Sequence, residues 1–156
     1  MRYLLILVFP LLCFNSFSQV QIGGDLRKNK IIGKVYRGGE KLGVFIASFE
    51  QSSEDSTRYF ICYNNVEYTT ITDIKCVVFG ASKKDILDIY NFLKECLNKD
   101  KNQQSSLKLG ESDLIITTTK NLGIKSLIIT VLTPVKGKGF FNLSSKELDK
   151  LFENAD

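Results

Sequence analysis

The chain has 156 residues, with 21 Lys/Arg, 17 Asp/Glu and no histidine, for a formal charge of +4. This balance lacks the concentrated basic face that phosphate recognition demands, so nucleic acid is not an expected partner. Without histidine there is no Ser-His-Asp or Cys-His nucleophile system, and a zinc site would need cysteine and carboxylate alone.

Residues 1–18 read as a secretory signal peptide. Arg2 supplies a positive start, Leu4 to Phe14 form an apolar run broken only by Pro10, and Ser16-Phe17-Ser18 precedes Gln19. The run is about half the length of a membrane-spanning helix. Lys and Asp interrupt every later apolar stretch, so no transmembrane segment is expected after signal removal. Leu12 is larger than the residue that a lipoprotein signal places before its cysteine, which argues against a lipid anchor at Cys13. Cleavage after Ser18 would leave residues 19–156 as one exported α+β domain, periplasmic or extracellular, large enough for a core of its own. Its charge without Arg2 is +3, and the short clusters Lys28/Lys30, Lys83/Lys84 and Lys136/Lys138 read as solvated surface.

Residues 19–29 form a polar lead-in. Ile31 to Arg37 and Glu40 to Phe49 flank Gly38-Gly39, a two-residue hairpin signal because both turn positions tolerate positive φ. Closing the hairpin there pairs Val35 with Leu42, Gly33 with Val44 and Ile31 with Ile46. After a polar loop from Glu50 to Ser56, Thr57 to Tyr63 is expected to turn at Asn64-Asn65 and pair with a strand from Val66 to about Phe79. Tyr59, Ile61, Tyr63, Val66 and Tyr68 then share a face. Ser82 to Asn98 is helical by period, with Ile86, Ile89, Leu93, Cys96 and Leu97 as its apolar stripe. Residues 98–106 are the most linker-like segment and mark a candidate half-repeat boundary.

The second half predicts a strand from Asp113 to Thr119, a turn at Lys120 to Gly123 and a strand from Ile124 to Thr133, apolar on both faces over Ser126 to Leu132 and hence central. A final helix runs from about Ser145 to Glu153. Residues 79–90 and 141–152 both fit F-x-x-S-x-K-[DE]-[IL]-x-x-[IL]-[FY]. Each recurring position has a structural task. Ser82 and Ser144 cap a helix, Asp85 and Glu147 complete the capping box, and Ile86 and Leu148 point inward. The pattern is architecture, and leaves open duplication of a strand-strand-strand-helix unit or a shared capping grammar. The expected fold is α+β: one antiparallel, hairpin-built sheet of six to seven strands with two helices packed on one face. The tandem order resembles in outline the duplicated scaffolds of some secreted protein inhibitors, with no motif tying it to one family.

Cys62, Cys76 and Cys96 read as small core hydrophobes, with a Cys62–Cys76 bridge as the alternative that export permits. No residue set points to a catalytic centre, a metal or a cofactor. Carboxylate pairs, Glu67 with Asp73 or Glu111 with Asp113, are the only candidates for hydrolase chemistry. Tyr59, Tyr63 and Tyr68, with Tyr36 nearby, are the candidate binding residues, since tyrosine combines large area with a polar tip. The alternative is that helices cover this face, leaving Tyr63 at a tolerant rim. The function expected is a non-catalytic binding or inhibitor-like module acting on a protein or cell-envelope component. A small carboxylate-dependent hydrolase and a structural or accessory envelope protein are the other readings.

Overall fold

The computed structural model describes residues 30–36, 42–49, 57–67, 72–135 and 137–155. The signal peptide, the lead-in, the Gly38-Gly39 turn, the 50–56 loop and Tyr68 lie outside the described residues. Four strands and a helix follow one another twice: β1 Lys30–Tyr36, β2 Leu42–Phe49, β3 Thr57–Asn64, β4 Ile74–Ala81, α1 Lys83–Asn98, then β5 Gln104–Leu109, β6 Ser112–Asn121, β7 Ile124–Thr133, β8 Gly137–Ser144 and α2 Ser145–Leu151. Each set of four strands forms its own antiparallel sheet, in the orders β1-β2-β3-β4 and β5-β6-β7-β8. The expected single sheet of six to seven strands is therefore two sheets of four.

Both helices begin as their sequences dictate. Ser82 Oγ accepts the Asp85 N–H while Asp85 accepts from the Ser82 backbone, and Ser144 and Glu147 repeat the exchange. Isolated helices of this length are marginal, and burial of an apolar stripe decides their stability. Ile86, Ile89, Leu93, Cys96 and Leu97 are the buried residues of α1, as its period requires. Each helix also reaches across to the other half. The first helix touches β6 and β7 of the second sheet, whereas α2 touches β1 and β2 of the first. Thr118 on β6 donates to the Cys96 carbonyl at 2.6 Å, a second bond on an acceptor that also takes the Lys99 N–H at the end of α1. Both Asn154 nitrogens donate to the Ile32 carbonyl, tying the C-terminal segment to β1. One core cluster accordingly draws on both sheets and both helices.

Three register expectations are corrected. Val35 pairs with Val44 and Gly33 with Ile46, two residues from the predicted pairing, so these residues keep their faces. An irregularity between Ile31 and Gly33 then turns Ile32 inward at 4 % exposure and leaves Ile31 outside at 51 %. The third correction concerns β4, which starts at Ile74 and pairs with Asn64 there; Val66 lies in the connection, exposed. Asn65 holds that connection. It is fully buried, its backbone N–H donates to the Asp73 carbonyl, and its Oδ1 accepts the Phe140 N–H at 2.9 Å. Val66 N–H donates in turn to the Phe140 carbonyl, fastening the first half to β8.

Candidate binding surface

The predicted tyrosines separate. Tyr59 stacks on Phe79 with ring centroids 6.0 Å apart, and Tyr63 meets Phe141 at 4.7 Å; both side chains are in the core. Burial raises the Tyr59 hydroxyl pKa, and burial followed by the nearby Asp73 charge pushes that of Tyr63 up to about 12. Tyr63 is thus not a rim residue, because β3 continues to Asn64 and the turn lies beyond it. Of the three described candidates, Tyr36 faces solvent, half exposed, with Lys34 Nζ 5.5 Å from its ring centre.

The carboxylates also separate. Asn65 Nδ2 donates to Asp73 Oδ2 at 3.0 Å and reaches Glu67 Oε2 at 3.5 Å, so one buried amide brings these two acids together. Lys75 Nζ lies 3.8 Å from the same Asp73 oxygen and donates to the Lys138 carbonyl. Glu111 and Asp113 are on the β5–β6 turn and the start of β6, with Asp113 opposite Lys108. Among the described residues no group of three or more His, Cys, Asp or Glu could hold a metal.

The most distinctive surface of the first sheet is the face turned away from the core. Side chains alternate along a strand, so the neighbours of Val44, Ile46, Tyr59, Ile61, Val77 and Phe79 point outward. Register aligns them in rows. One row reads Ile31, Ala47, Phe60, Val78; the next reads Lys34, Phe45, Cys62, Cys76. Phe45 and Phe60 occupy one diagonal of the central block and meet edge-to-face at 5.6 Å. Ala47 and Cys62 fill the other diagonal and are buried, while Ile31 and Val78 at the two ends are about half exposed. A disulfide joins Cys62 to Cys76 across β3 and β4. Three core cysteines were expected, and only Cys96 is one, free and buried.

The second sheet provides an internal comparison. Its outward rows read Ser106, Ile115, Thr130, Phe140; Lys108, Asp113, Leu132, Lys138; and Gln104, Thr117, Ile128, Asn142. Eight of those twelve residues are polar, whereas the two central rows of the first sheet hold one polar residue in eight and the row beside them adds Arg58. The strand layout is the same, so it does not dictate the difference.

The apolar face ends at β4, an edge strand. The Cys62 and Cys76 Cα atoms are 4.1 Å apart, the spacing of a non-hydrogen-bonded pair. Backbone groups of Cys76, Val78 and Gly80 therefore point away from β3, toward the edge. Gly110, in the β5–β6 turn, packs against the Val78 carbonyl. Two open hollows flank this contact. One of about 410 Å³ lies between β4, α1 and β5, lined by Asp85, Asp88, Phe92 and Leu107. The other, of about 440 Å³, is lined by Arg58, Cys76, Val78, Glu111 and Pro134.

No protein-family model, curated protein or solved structure matches the chain.

The sequence signal for this surface was present in β3 and β4. Phe60-Ile61-Cys62-Tyr63 and Cys76-Val77-Val78-Phe79 are apolar without alternation, the pattern of strands covered on both faces. In β7 the same pattern marks a strand that lies between two others.

Proposed function

We infer that the chain is an exported, non-catalytic module that binds a protein of the cell envelope through the outward face of its first sheet. The observation that carries this reading is the row Ile31, Ala47, Phe60, Val78, apolar across all four strands where the matching face of the second sheet is mainly polar. Contiguous apolar surface of this kind marks interaction sites in proteins otherwise free to bury it. Aromatic side chains at the centre and one lysine at the border fit the composition of protein interfaces. The inhibitor-like variant of this reading differs only in what the partner does.

Val78→Asp and Ile31→Asp test the reading, since both residues are about half exposed. Stability should change by no more than about 0.5 kcal/mol, as for surface substitutions. Cross-linked capture of an envelope partner should disappear, while Ile128→Asp on the second sheet should retain it. Equal capture by all three variants would overturn the assignment. N-terminal sequencing of exported protein should begin at Gln19 or within a residue or two, and an intact Met1 would remove the export reading.

A second reading has one observation in its favour. Glu67 and Asp73 share the Asn65 amide, which brings together the pair of carboxylates that a hydrolase reading would use. Glu67→Gln should abolish any glycosidase activity found, and leave partner capture intact.

A further inference from the structure

The β6–β7 hairpin ends in Asn121-Leu122-Gly123-Ile124, and its tip carries the most exposed large hydrophobic side chain among the described residues. Leu122 is completely exposed at 102 % and Ile124 is 65 % exposed. Leu122 also sits at φ 50°, in the left-handed region, followed by Gly123 at φ 81°. A two-residue turn of this kind favours Asn-Gly, because a bulky side chain at positive φ is strained. Neither turn geometry nor burial rewards a leucine here.

The fold collects charge around the tip that no sequence run reveals. Lys120 and Lys125 are register partners at the base of the turn. Lys125 Nζ reaches the Asn98 carbonyl at 3.4 Å, which places the end of α1 beside them. Backbone bonds from Asn102 to Thr118 and from Thr118 to Gln103 then lay the 99–103 loop along β6. Lys99, Lys101, Lys120 and Lys125 thus share one end of the molecule, with Asp100 in the same loop and Glu95 a turn back along α1.

We propose that this tip is an interfacial anchor: Leu122 and Ile124 enter the surface of an anionic lipid bilayer, and the surrounding lysines bind its headgroups. A protein partner is disfavoured by size, since a specific protein interface covers about 800 Å² per partner. Two aliphatic side chains with a basic collar suffice for weak, reversible membrane attachment. The inference takes only cellular location from the export reading and does not depend on the apolar face of the first sheet.

The experiment is co-flotation of the processed protein with vesicles of phosphatidylcholine alone or with added phosphatidylglycerol. Binding should require phosphatidylglycerol and weaken with salt. Leu122→Asn should lower partition about tenfold, the effect of removing one inserted aliphatic side chain. The same variant should melt at or above the wild-type temperature, because asparagine suits the turn, so lost binding cannot be lost folding. Lys120→Gln and Lys125→Gln should each reduce partition about fivefold. Val135→Asn, at the opposite end of β7 and 90 % exposed, should have no effect. Absence of wild-type binding, equal binding to both vesicle types, or full binding by Leu122→Asn would each overturn the proposal. Lipid binding that survives Val78→Asp and Ile31→Asp, while partner capture fails, would separate the two surfaces.

Discussion

Gly33 lies directly beneath the backbone of Leu151: a Cβ at this position would run into the Leu151 carbonyl, with the Lys150 carbonyl oxygen beside it. The last turn of α2 can therefore rest on β1 only because residue 33 has no side chain. Backbone cannot swing aside as a flexible side chain can. Gly33→Ala should cost about 3 kcal/mol, the upper range for overpacking a core. A urea melt unchanged from wild type would mean that α2 does not sit on β1.

The helix caps allow a sharper comparison. Ser144 Oγ accepts the Glu147 N–H, while Ser145 Oγ only meets Lys94 Nζ at 3.5 Å on the surface. Ser144→Ala should lose about 1 kcal/mol, and Ser145→Ala, away from the cap, much less. Equal melting of the two variants would remove Ser144 as the cap.

The caps were legible because one hydroxyl and one carboxylate three residues apart act locally. So were the α1 stripe and the place of the β6–β7 turn, although Lys120 and Asn121 belong to β6 and the turn itself is Leu122-Gly123. What stayed hidden either lacked a strand-like composition or depended on distant partners. Strand β5 has no β-branched residue, and its first half, Gln104-Ser105-Ser106, closes the segment that reads as linker, yet it pairs along its length with β6. Strand β8 starts Gly137-Lys138-Gly139, a loop-like opening that β7 nevertheless pairs with. The start of β4 was misplaced because the Val66-to-Ile74 stretch is β-rich, and the constraint that delays pairing, Asn65 bound to Asp73 and Phe140, spans two halves of the chain. The apolar outward face was hidden for a related reason: it exists only once four strands are in register.

The disulfide is the next test. Cys62 and Cys76 are 14 residues apart, and closing a loop of about 15 residues removes roughly 3 kcal/mol of unfolded-state entropy in the chain-entropy account. The double variant Cys62→Ala/Cys76→Ala should lose about that much stability. Denatured, unreduced protein processed after Ser18 should show one reactive thiol, Cys96, and the native protein none, because Cys96 is 1 % exposed. Three reactive thiols without reductant would disprove the bond.

Tyr63 combines packing and protonation in one residue. Its ring is 1 % exposed against Phe141, so Tyr63→Ala should cost about 3–5 kcal/mol, as should Tyr59→Ala on the same face. A tolerant Tyr63 would restore the rim position that the Asn64-Asn65 turn suggested. Tyr63→Phe keeps the ring and removes only the hydroxyl, whose pKa is pushed up to about 12 by burial and then by Asp73. Below pH 10 the hydroxyl is protonated in the folded and unfolded chains alike, and its contribution is fully present. Between pH 10 and 12 the unfolded chain releases a proton that the folded chain retains, so stability falls as pH rises through this window. Tyr63→Phe cannot release that proton. Urea melts from pH 9 to 12 should therefore show a shallower alkaline loss for Tyr63→Phe than for wild type. Tyr59 and Tyr90, whose hydroxyls are also raised, by burial and by the hydrogen bond to Asp149 respectively, would supply part of the slope that remains. Parallel alkaline losses in the two proteins would mean that the Tyr63 hydroxyl titrates no later in the fold than in the open chain, and is not buried against β8.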